Sequence, residues 1–94
     1  MREHHDTLPS KVTVTDITAR VTETVYSVLP GTTTTVCQLR MVNGYPVLGT
    51  SACVDPTKFN QALGEQYAYE DAIKNCWPLE GYLLAERRFQ STNL

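Results

Sequence analysis

The sequence predicts an α+β domain: an N-terminal helix, an antiparallel β-hairpin or small sheet, and a long helix followed by a short C-terminal helix. Three observations carry this. An Asn-Gly pair at 43–44 separates two runs rich in strand-forming residues, TTTTVCQLRMV and YPVLGTS, which is the strongest short-range hairpin signal. An Asp-Pro pair at 55–56 opens a stretch in which large apolar residues recur at helical spacing. The 94 residues, 41% hydrophobic and 19% charged, suit one small folded unit, large enough to bury only about two-thirds of its unfolded surface.

Residues 1–12 read as a flexible polar leader containing His4, His5 and Pro9, and 13–94 as the single domain. Thr13, three residues before Asp16, resembles a capping box. Val14, Ile17, Val21, Val25 and Val28 follow at helical spacing, predicting a helix over roughly 14–26. The same stretch is dense in β-branched Thr and Val, so a strand competes for it.

Pro30-Gly31 makes a turn, and the strand from the threonine tract then runs into Asn43-Gly44. A two-residue turn there pairs Leu39 with Leu48, Met41 with Pro46 and Cys37 with Thr50 on the more buried face. Val42 with Tyr45 and Arg40 with Val47 then take the other face. Pro46 falls in a non-hydrogen-bonded pair and makes the second strand an edge.

In GTSACVDPTKFN the strand ends in small residues. Asp55 is a good N-cap and Pro56 suits the first helical position. Phe59, Leu63, Tyr67, Glu70, Ile73 and Trp77 fall near one face of a helix of about 20 residues. Pro78 ends it or starts a second helix over 78–89, whose last turn carries Arg87 and Arg88.

Net charge is −2 and no long basic stripe is present, which disfavours duplex DNA as a partner. The longest apolar run is far short of the ~18 residues a membrane span needs, and MREHHDTLPS lacks the apolar core of a signal peptide. Three cysteines without a CxxC are expected to be reduced thiols of a cytoplasmic protein.

Cys53 stands where α/β enzymes often place a nucleophile. It reads instead as a small buried cysteine, because the two histidines lie in the leader. His4-His5 with Glu3 and Asp6 make only a weak metal pattern, and no metal or cofactor is expected. Adjacent Glu70 and Asp71 point apart on a helix and do not share a site. Phe59, Tyr67, Tyr69, Trp77 and Tyr82 are core aromatics first, with one or two available to stack on a base. No GxGxxG, P-loop, HExxH or GxSxG occurs. The expectation is a protein without enzymatic activity.

CQLRMVNGY, GTSACVDPTKFN, GEQYA and WPLEGYLLAER together resemble a phage protein family named after gene products 49 and 66 of two tailed phages, over about Cys37 to Phe89. The resemblance implies a phage or prophage accessory protein. A looser likeness links the layout to phage sponge proteins that counter the Thoeris defence by sequestering cyclic ADP-ribose isomers or cyclic oligonucleotides at sites between subunits. That likeness implies self-association and a site in which Arg88 or Arg87 meets phosphate, Phe59 stacks on adenine and Asp71 meets a base edge or ribose. The family pattern has asparagine where Asp71 stands, and an ionised aspartate only accepts hydrogen bonds. The alternative is a protein–protein interaction module that inhibits a host factor.

Overall fold

The computed structural model describes residues 11–92. Helix α1 (Val14–Ala19) leads into a three-stranded antiparallel sheet of β1 (Val21–Val28), β2 (Thr34–Met41) and β3 (Pro46–Ala52), in the order β1-β2-β3. A 3-10 turn (Pro56–Lys58) then precedes one long helix, α2 (Gln61–Thr92). The α+β class stands as read from the sequence. Most of the leader, including His4 and His5, lies outside the described residues.

The capping box is real. The Asp16 amide donates to Thr13 Oγ1 at 3.2 Å, and the Thr13 amide donates to Asp16 Oδ2 at 2.8 Å. The helix it starts is nonetheless shorter than expected, ending at Ala19 with Arg20 as C-cap. Of the expected apolar stripe only Ile17 is buried. From Val21 onward the β-branched residues win, because β2 offers a partner with ladder hydrogen bonds that six more helical residues would have forgone.

The hairpin register also differs from the expected one by a residue. Leu39 faces Val47, Cys37 faces Gly49 and Arg40 faces Pro46. The turn holds three residues rather than two: the Gly44 amide donates to Met41 O at 2.8 Å and the Met41 amide to Tyr45 O at 3.0 Å. Gly44 has φ +87°, the left-handed residue of a three-residue hairpin loop. The Asn43 side chain accepts from the Tyr45 amide. A one-residue slip exchanges the faces of β3. Cys37, Leu39 and Met41 are buried as expected, but their companions are Val47 and Gly49, while Leu48 faces solvent. Pro46 remains in a non-hydrogen-bonded pair, and β3 is an edge.

Helix α2 lies across β3 and β2. The side chains it buries are Gly64, Ala68, Ala72, Cys76, Glu80 and Leu84, a stripe stepping by four residues. The expected face of large residues sits one position away, and Leu63, Tyr67 and Trp77 are exposed. Small residues face the sheet because the backbones approach closely: a Cβ on Gly49 would collide with the Ala68 carbonyl and the Ala72 amide.

Pro78 neither ends nor divides the helix, so the expected second helix over 78–89 is the continuation of α2. Proline removes a donor to the carbonyl four residues back. That carbonyl belongs to Lys74, an exposed residue, so it is not left unpaired in the core. Arg87 and Arg88 consequently lie inside the helix, and its last turn carries no basic residue.

Candidate functional site

The joint after β3 is built from local hydrogen bonds. Asp55 caps the 3-10 turn by accepting from the Thr57 amide and hydroxyl at 3.0 and 2.7 Å, which holds the Asp55 carboxyl below its ordinary pKa. Asn60 accepts from the Leu63 amide at 3.1 Å and starts α2. The Cys53 thiol donates to Asp55 O at 3.1 Å. Cys53 is only half-buried, against the expectation of a buried thiol, because the chain turns away from the sheet there.

A cavity of about 220 Å³ opens at this joint, lined by Cys53, Lys58, Phe59, Leu63, Gly64 and Tyr67 among others. Beneath it Thr35 is fully buried, and its Oγ1 has no hydrogen-bond partner among the described residues.

A concavity of about 610 Å³ lies at the other end of α2. Trp77, Gly81, Ala85, Arg88 and Phe89 project from one side of the helix and meet Lys11 and Val12 of the segment that enters α1. Two cationic side chains thus share a groove with two aromatic rings, and Gly81 leaves room between them. An adjoining hollow of about 230 Å³ shares Lys11 and Val12 and adds Asp16, Arg20, Glu80 and Arg87. There Glu80, nearly buried, lies 2.9 Å from Arg20 Nε. The contact is ionic, since the Nε–H is not aligned on the oxygen.

A family model covers residues 12–88, described as Phage protein (N4 Gp49/phage Sf6 gene 66) family. The chain belongs to this family. Comparison with curated proteins and with solved structures finds no match. Among the described residues no helix is long and apolar enough to cross a membrane, and no cluster of side chains is arranged to hold a metal ion.

In this phage family protein the four residues named as ligand contacts fall in separate places. Phe59 lines the cavity at the start of α2. Arg88 lines the large groove and Arg87 the adjoining hollow. From Gln61 to Arg88 the helix rises about 40 Å, so one chain cannot bring Phe59 and Arg88 to one ligand. Asp71 belongs to neither cavity: its carboxylate accepts from the Thr50 amide. The sequence reading missed Lys11 and Phe89 as groove residues. The signal was present in the spacing of Trp77, Gly81, Ala85 and Arg88, which share a face once the helix is allowed to continue through Pro78.

Proposed function

We propose that this phage protein binds and sequesters a cyclic nucleotide immune signal, a cyclic ADP-ribose isomer or a cyclic oligonucleotide, without turnover, and so counters host anti-phage defence. The observation that carries the reading is the groove in which Lys11 and Arg88 accompany Trp77 and Phe89. Its volume lies in the range of small-molecule sites, about 300–1,000 Å³. Arginine's fork and the lysine ammonium suit phosphate oxygens, and aromatic faces accept nucleobases of any sequence. Membership of the phage family suits a protein that acts during infection.

Turnover is left out of the proposal because the sequence carries no enzyme motif and the residues lining the groove include no cysteine, histidine or carboxylate. A ligand that engaged both Phe59 and Arg88 would have to span two copies of the chain.

The test is a thermal-shift panel of cyclic ADP-ribose isomers, cyclic di- and trinucleotides, NAD and linear controls. One cyclic compound is expected to raise the melting temperature by several degrees. A ligand at 1,000 times its Kd adds about 4 kcal/mol, and Arg88→Ala is expected to abolish that gain while the unliganded protein still folds and melts cooperatively. Loss in Phe59→Ala but not in Arg88→Ala would move the site to the joint cavity. No shift with any compound, from a cooperatively melting protein, overturns the reading in favour of a host-protein inhibitor, for which exposed Leu79 and Tyr82 would be the first contact to test.

A further inference from the structure

Four of the five glycines have a reason in the fold. Gly31 and Gly44 take positive φ. A Cβ on Gly49 would strike the backbone of α2, and one on Gly64 would fall 2.7 Å from Thr35 Oγ1. Gly81 has no such reason. It keeps a helical backbone inside α2, and a Cβ there would meet nothing within 4 Å. Glycine is the poorest helix former after proline, and Pro78 stands within a turn of it. The helix thus carries its two weakest formers together, although no contact of the fold calls for a glycine at 81. What the glycine supplies is open space in the wall of the groove.

That space has a defined surround. Trp77 stands one turn before Gly81 and Ala85 one turn after it, on the same face of α2. Along the axis Trp77 lies about 6 Å to one side of Gly81 and Arg88 about 10 Å to the other. Long helical side chains lean toward the N-terminus. Arg88 therefore reaches back toward Gly81, whereas Trp77 leans away and leaves the backbone at 81 uncovered. Phe89 is two turns on, with Ala85 between. Lys11 and Val12 close the opposite wall, and the lining holds two cations and no carboxylate.

We infer that Gly81 is the position that admits a nucleobase to the groove: the ring enters over the bare backbone at 81 and stacks on Trp77, while a phosphate of the same ligand meets Arg88 and Lys11. This rests on the nucleotide reading and gives it a stacking platform other than Phe59, which lies in the cavity at the start of α2. The indole offers the ring a broad π-face. A side chain at 81 larger than a methyl would occupy the volume the base needs.

Trp77 is the chain's one tryptophan, so its emission reports the platform directly. The full chain is titrated with cyclic ADP-ribose isomers and with cyclic di- and trinucleotides, and melting is followed in parallel. The compound that raises the melting temperature is expected to quench Trp77 emission saturably. Gly81→Leu fills the space with a good helix former. Unliganded, it is expected to melt a few degrees above the parent, and its binding to weaken about tenfold or more, as for the loss of one stacked base. Gly81→Ala is expected to gain stability and keep binding. Either variant melting below the parent, or failing to fold, would show a structural glycine and overturn the inference. So would undiminished binding by Gly81→Leu, or a compound that stabilises the protein without quenching Trp77. Those two results leave the sequestration reading standing and move the base to another ring. Neither stabilisation nor quenching with any compound overturns that reading and this inference together.

Discussion

The Asp71 carboxylate accepts a hydrogen bond from the Thr50 backbone amide at 2.9 Å, and one helical turn later Asn75 donates to the Leu48 carbonyl at 2.8 Å. Two polar side chains of α2 therefore satisfy two of the outward backbone groups of β3. Asp71→Ala is expected to lower stability by about 1 kcal/mol, the net worth of such a bond, and to speed hydrogen exchange of the Thr50 amide. Asp71→Asn keeps an acceptor and is expected to change little. Urea unfolding with amide exchange checks both, and an Asp71→Ala protein with an unchanged Thr50 exchange rate would refute the capping role.

Gly49 is the point of closest approach between sheet and helix. Any side chain there lands on the Ala68 carbonyl and the Ala72 amide, which are backbone and cannot swing aside. Gly49→Ala is expected to cost about 3 kcal/mol, the upper end for overpacking, read as a drop in the urea midpoint. A near-neutral substitution would mean that α2 rides higher on the sheet.

Thr35 is the converse case, a buried hydroxyl without a partner among the described residues. Replacing it by an apolar group of the same shape removes an uncompensated desolvation cost. Thr35→Val is therefore expected to raise stability by up to about 1 kcal/mol in the same unfolding assay. Destabilisation instead would show that the hydroxyl is satisfied, for example by an internal water.

How much of this was legible depends on which residue carried the signal. The capping box, the Pro30-Gly31 turn, the hairpin and the edge character of β3 rest on local chemistry and stood in the sequence. The extent of α1 did not, because Val21–Val28 satisfies a helical period and a strand composition equally, and only pairing with β2 decides it. The buried face of α2 was read one position off because large residues draw attention, whereas Gly64, Ala68 and Ala72 are buried by virtue of being small. The groove was hidden by Pro78, read as a stop. The Asp71–Thr50 bond joins residues that no sequence period relates.

The three cysteines are expected to separate by reactivity. Burial pushes the Cys37 and Cys76 thiols up from their ordinary pKa, so they stay protonated and shielded in the core, whereas Cys53 is half-buried at the joint. Alkylation of the native protein at mildly alkaline pH, followed by mass spectrometry, is expected to modify Cys53 alone, and all three after denaturation. Rapid native modification of Cys37 or Cys76 would mean that the helix opens from the sheet.

The capping box gives an acid-dependent term. Donation from the Thr13 amide, then from its hydroxyl, holds the Asp16 carboxyl below its ordinary pKa. A carboxylate with a folded pKa below its unfolded value of about 3.9 contributes stability that is fully present above that value. The contribution is lost as pH falls through the folded pKa. Asp16→Ala is therefore expected to melt below the parent at neutral pH, with the gap closing as both are acidified below about pH 4. Melting curves of the two proteins from neutral pH to about pH 2 read this directly. A gap that persists unchanged into acid would assign the effect of Asp16 to packing or helix propensity rather than to its charge at the start of α1.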